Sequence, residues 1–136
     1  MEFALGKPQI PNGLGEAKAL GAALFKVLEG IASTWKLDQA ELASILHRDP
    51  STISTWKRNK SVAVSKDHPA PNDVQIFELI EFFDSLSSML FRKEEQIKWL
   101  RNHSVEFGGK SPFELLRENP KNLFALREYV DRISRP

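Results

Sequence analysis

Most residues able to do chemistry in this sequence are spaced so that they cannot do it together. Gly109-Lys110-Ser111 has the ending of a phosphate-cradling loop, but Ser104 stands where the first glycine is needed and no strand leads into it. A turn followed by a helix start accounts for it. Gly13-Leu14-Gly15 lacks the third glycine and preceding strand of a dinucleotide fingerprint. His47, His68 and His103 share no metal-ligand spacing, and the absence of cysteine removes thiolate ligands and disulfides alike. Glu94 and Glu95 are adjacent, so on a helix they diverge by about 100° instead of converging as an acid and base would. Neither a catalytic group, a metal nor a cofactor is therefore expected. What remains is cationic: Lys57, Arg58, Lys60 and Lys66 fall within ten residues, with no acid until Asp67. Such a cluster suits a phosphate backbone, and a solvated surface face has the same composition.

Periodicity and capping signals place these residues on helices. Residues 1–14, with Gly6, Pro8, Pro11 and Gly13, read as a loose tail. Ala19, Leu20, Ala23, Leu24, Val27, Leu28, Ile31 and Trp35 then recur at spacings of three and four, the inward face of an amphipathic helix. Asp38 with Glu41 forms a capping-box pattern ahead of Leu42, Ile45 and Leu46. Asp49-Pro50 starts another helix, to about Asn59, with the carboxylate as cap and Ile53 and Trp56 as its buried side.

Ser61 to Asn72 reads as a loop, and Asp73 as the cap of an apolar helix carrying Val74, Phe77, Ile80, Phe83, Leu86 and Leu90. The apolar surface of this helix extends to Ile76, Leu79 and Phe82, which fits either a central core helix or a dimer interface. Glu94 to Arg101 is a short helix, Ser111-Pro112-Phe113-Glu114 a capped start, and Leu123 to Ile133 a final amphipathic helix after Asn119-Pro120. With no β-alternation of useful length, the fold expected is all-α, with about seven helices.

Two short capped helices about three residues apart, with small Ala43 at the crossing and Ile53 and Trp56 pinning the second, satisfy the packing of a helix-turn-helix. Leu37-Asp38-Gln39-Ala40-Glu41-Leu42-Ala43 and Ser51-Thr52-Ile53-Ser54-Thr55-Trp56 resemble the motif of phage repressors and Xre-type regulators, over about Leu20 to Phe91. His47 stands where a small turn residue is usual, so a left-handed backbone is expected there at mild cost. Ser51, Thr55, Pro50 and Ser54 are then expected at base edges, offering methyl contacts or single hydrogen bonds. The resemblance implies a phosphate contact for Gln39 at its helix start, with Lys57, Arg58 and Lys60 adding further backbone contacts.

Trp99-Leu100-Arg101-Asn102, Phe107-Gly108-Gly109, Ser111 to Leu116 and the helix from Leu123 to Ile133 resemble the C-terminal toxin-binding domain of the Xre/MbcA/ParS antitoxin family, over about Ser85 to Arg135. That resemblance implies a RES-domain toxin that consumes NAD as partner, blockage of its active site, and repression of the pair's own operon through operator DNA. The plain reading is a helical hairpin with Trp99, Leu115, Leu116, Leu126 and Val130 as its core. Because Leu123, Leu126, Val130 and Ile133 are needed inside, Arg127, Asp131, Arg132 and Arg135 are the residues expected to face a toxin.

A content of 41% hydrophobic and 27% charged residues is that of a folded protein and excludes wholesale disorder. The run from Val74 to Phe91 is interrupted by Glu78, Glu81 and Asp84, so no membrane span is expected, and the cytoplasm is the expected location. The organisation expected is a tail over 1–14, a DNA-binding unit with its long apolar helix over 15–91, and a toxin-binding unit over 92–136, in a homodimer. A plain transcriptional repressor whose C-terminal half only dimerises is the alternative.

Overall fold

The computed structural model describes residues 14–63 and 71–134, with side chains from 18 to 63 and from 74 to 134. Seven α-helices follow in order: α1 Leu14–Trp35, α2 Gln39–Leu46, α3 Pro50–Asn59, α4 Pro71–Met89, α5 Lys93–Arg101, α6 Pro112–Glu118 and α7 Lys121–Ser134. A single 3-10 turn, Val105–Phe107, lies between α5 and α6. The described residues form no strand, only an isolated bridge between Ser104 and Lys110.

Local chemistry explains most boundaries. At α2, Asp38 Oδ1 accepts from the Glu41 amide at 2.8 Å while Glu41 Oε1 accepts from the Asp38 amide at 3.1 Å. Ser111 and Glu114 repeat this reciprocal cap at α6, at 3.1 and 2.9 Å. α3 starts differently from expectation: Asp49 is extended and makes no side-chain cap bond, leaving the fixed φ of Pro50 to set the first turn. α4 also begins early, at Pro71, which places Asp73 inside the first turn instead of at the cap.

The core is one hydrophobic cluster running through both halves of the chain. α4 lies at its centre, packed by α1, α5 and α7, with Ile76, Leu79, Phe82 and Leu86 all but fully enclosed. Of the two readings left open for α4, the core helix is the one realised at Ile76, Leu79, Phe82 and Leu86, while Val74 at its start stays half exposed. On α1, Ala19 and Ala23 are exposed instead of inward, and Leu24, Leu28, Ile31 and Trp35 make the contacts. A methyl group costs little to leave in water. Ile133 is likewise half exposed, so α7 buries only Leu123, Leu126 and Val130 fully.

Gly21 marks a close crossing. The Val62 amide donates to Gly21 O at 3.0 Å, and a Cβ on residue 21 would lie 2.2 Å from Val62 O. Side chains also tie the C-terminal half onto α2: Leu116 O accepts from His47 Nε2 at 2.9 Å, and Arg101 Nη2 donates to Glu41 Oε2 at 2.9 Å.

Candidate nucleic-acid interface

The helix-turn-helix is braced from both ends. His47 takes the left-handed conformation expected of it, φ 55° and ψ 47°, which turns the chain from α2 into α3. At the far end Gln39, first residue of α2, reaches across with Nε2 to donate to Pro50 O at 3.0 Å and to Ser54 Oγ at 2.5 Å. Ile53 and Trp56 are buried beneath, and the Arg48 guanidinium lies 5.4 Å from the Trp56 ring centre. α3 is thereby fixed in pitch and rotation before any ligand arrives.

Its outer side carries two adjoining stripes, Pro50-Ser54-Lys57 and Ser51-Thr55-Arg58, all exposed. Thr55 Oγ1 donates to Ser51 O at 3.0 Å and accepts from Arg58 Nη2 at 3.5 Å, which leaves its methyl outermost in chemical character. Lys57 and Arg58 occupy the last turn, and Lys60 follows in a left-handed cap with φ 52°. The structure thus brings together Gln39, Pro50, Ser51, Ser54, Thr55, Lys57, Arg58 and Lys60 on and around one helix. Short hydroxyl side chains occupy its start and cations its end. Lys66 lies outside the described residues.

The residues expected to face a toxin do not form a comparable free surface. Arg127 is only 21% exposed and lies in the seam between α7 and α4: Nε donates to Glu78 Oε1 at 2.9 Å and Nη2 to Glu78 Oε2 at 3.4 Å. Nη1 reaches Asp131 at 3.4 Å, and the guanidinium covers the Phe124 ring at 5.0 Å. The hydrogen bond to Glu78 and the surrounding carboxylates hold Arg127 still more firmly protonated. The placement of Arg127 and Asp131 on an outer face is thus corrected, because the planar fork finds a bidentate partner inside the molecule. Arg132 is exposed beside Tyr129, and Arg135 lies outside the described residues.

Sequence reasoning missed Gln96. It is buried, accepts from Trp35 Nε1 at 2.9 Å and donates to Leu90 O at 2.9 Å and Ser87 Oγ at 3.3 Å. Its spacing from Leu100, one helical turn, was the available signal. Around it runs a row of rings, from Trp35 to Phe82, Trp99, Phe107 and Tyr129, with successive centroids 5.3 to 6.3 Å apart. Tyr129 ends the row by donating to Glu106 Oε2 at 3.0 Å, and burial together with that carboxylate pushes its phenol up.

Residues 16–68, from the first turn of α1 to beyond α3, match the family model of the antitoxin Xre-like helix-turn-helix domain. The segment is similar to that helix-turn-helix domain. Among solved structures, a chain of the crystal structure of the M. tuberculosis MbcT-MbcA toxin-antitoxin complex matches with a TM-score of 0.53, at 18% identity, over 80% of this chain and 94% of that one. At this identity the likeness is one of fold, and its coverage exceeds what the Xre-like domain alone can supply. No protein of curated function matches in sequence. Among the described residues no helix is long and apolar enough to cross a membrane, and no cluster of His and carboxylates could hold a metal.

Proposed function

We propose that the protein is the antitoxin of a toxin-antitoxin pair, working in the cytoplasm. The observation that carries this reading is the rigid, Gln39-braced α2–α3 unit with its hydroxyl and cation stripes, within an Xre-like antitoxin domain. Ser51, Thr55, Pro50 and Ser54 meet base edges in the major groove, while Lys57, Arg58 and Lys60 neutralise phosphates; the Gln39 amide, with both hydrogens given to Pro50 and Ser54, braces α3 in place of the phosphate contact expected of it. Binding as a homodimer to two half-sites represses the pair's own operon.

The C-terminal half neutralises a RES-domain toxin that degrades NAD. The motifs from Trp99 to Ile133 and the fold likeness to a chain of a toxin-antitoxin complex support that partner. With Arg127 and Asp131 held in the α4–α7 seam, Arg132 and Arg135 are the cations left to border the active-site cleft, where an anionic substrate would otherwise bind.

A mobility-shift titration against the protein's own promoter tests the DNA half. Replacing Lys57 and Arg58 by alanine is expected to weaken binding to every duplex and to reduce the salt slope by about one per lost phosphate contact. A wild-type protein without salt-dependent binding would overturn it. For the toxin half, removing Ser134 to Pro136 together with Arg132→Ala is expected to abolish rescue of cells expressing the adjacent RES-type enzyme, with helical content and DNA binding unchanged. Continued rescue and co-purification would refute the placement.

A further inference from the structure

α1, α2 and α3 each end on a left-handed residue that is not glycine. Lys36 follows α1 at φ 55°, His47 follows α2 at 55° and Lys60 follows α3 at 52°. At Lys36 the ending is held by paired bonds: its amide donates to Ser33 O at 3.3 Å and the Leu37 amide to Ala32 O at 2.8 Å. Glycine fills such a position without strain, and the C-terminal half uses it so at Gly108 and Gly109. A side chain kept there against the preference of the backbone points to a use for that side chain.

The His47 imidazole binds the Leu116 carbonyl, a bond glycine could not make, and Lys60 extends the cationic end of α3 behind Lys57 and Arg58. Lys36 has neither use. Its side chain is exposed, and its ammonium has no partner among the described residues. Of the carboxylates nearest in sequence, those of Asp38 and Glu41 are engaged in the α2 cap, Glu41 also with Arg101, and Glu29 stands about two turns back along α1. Lys36 also adjoins the base-facing side of α3, because Leu37, Asp38 and Gln39 line one hollow with Lys57, and Gln39 touches Pro50 and Ser54. In a helix-turn-helix the first helix crosses the phosphate backbone while the second lies in the groove, and Lys36 stands three residues before that first helix.

We propose that Lys36 is a further phosphate-binding residue of the DNA interface, serving the flank of α2 as Lys57, Arg58 and Lys60 serve the end of α3. The proposal rests on the DNA-binding reading and adds a contact which that reading lacks. The rival use is internal: α1 has no cation in its last turn, so Lys36 alone would offset the helix dipole there. The two uses differ in what Lys36→Gly does.

The test is a mobility-shift titration of the full chain on its own promoter, from about 50 to about 200 mM salt, alongside urea unfolding. Lys36→Gly is expected to unfold at a urea midpoint no lower than wild type, since glycine takes the left-handed position freely, and to lose about one unit of salt slope for each protomer bound. The advantage of the wild type in affinity should then shrink roughly threefold per lost contact over that salt range. Lys36→Arg should keep the wild-type slope, and Lys93→Ala, which removes an exposed charge at the start of α5, should leave it unchanged. An unchanged slope in Lys36→Gly, where Lys57→Ala with Arg58→Ala lowers it, overturns this proposal alone, and a lowered urea midpoint beside that unchanged slope assigns the lysine to the α1 dipole. An equal loss of slope in Lys93→Ala also overturns it, by making the effect one of net charge. A wild type without salt-dependent binding overturns the DNA reading and this contact with it.

Discussion

At the scale of single residues, Gly21 and Gly30 occupy the same helix and should respond oppositely to the same change. A methyl at residue 21 would meet Val62 O at 2.2 Å, whereas a methyl at residue 30 meets nothing within 4 Å. Gly21→Ala is expected to lower the unfolding free energy by about 1–3 kcal/mol as the crossing segment is forced outward. Gly30→Ala should raise it by about 0.5–1 kcal/mol through the entropy of the unfolded chain. Urea titrations of both variants decide this, and similar midpoints would show that the crossing at Gly21 can yield. Gln96→Leu should cost about 1–3 kcal/mol, since it leaves Trp35 Nε1 and Leu90 O buried without partners. An unchanged midpoint would mean that water replaces both bonds. The glycine roles were not legible in the sequence, and Gln96 offered only its one-turn spacing from Leu100. A glycine in a helical pattern looks the same whether or not a distant carbonyl crosses it, and Gln96 reads as a surface residue until Trp35 is seen above it.

At the scale of elements, the caps were legible because capping is chemistry between residues three apart. Asp38 with Glu41 and Ser111 with Glu114 form the reciprocal pairs that their spacing announces. Asp49 is a cap residue with Thr52 instead of Glu three places on, and its side chain makes no bond, so a cap residue alone sets only the backbone's opportunity. The backbone amide of Ser111, opposed by some burial and aided by His103 and Lys110, holds the Glu114 carboxyl below its ordinary range. A depressed carboxyl contributes stability that is fully present above the ordinary carboxylate value and is lost as pH falls through the lowered one. Glu114→Gln is therefore expected to flatten the acid limb of the melting temperature against pH while leaving the neutral limb parallel to wild type. On α3, the Thr55 hydroxyl is already donated to Ser51 O. If its methyl is what meets DNA, Thr55→Val should keep the operator preference and Thr55→Ser should lose it, by about 1 kcal/mol or less in competition binding. The reverse order would assign readout to the hydroxyl.

At the scale of the whole molecule, helix number and order were readable, but which face meets which was not. Periodicity shows that α4 is apolar on several sides and is silent on whether its own chain or another covers it. The answer depends on contacts between distant segments: Arg127 with Glu78, His47 with the Leu116 carbonyl, and Arg101 with Glu41. A fragment ending at residue 91 would leave Phe82 and Leu86 without the α5 and α7 packing that covers them. The full chain should accordingly melt in one cooperative transition followed by circular dichroism, and the fragment should show no cooperative melt. Two separate transitions in the full chain would show that the halves are independent domains. The row of rings from Trp35 to Tyr129 gives this joint an optical signature. Neighbouring aromatic transitions held at fixed tilt couple, and the row begins in α1 and ends in α7, so the near-ultraviolet spectrum of the unlabelled protein reads directly whether the two ends of the chain are docked.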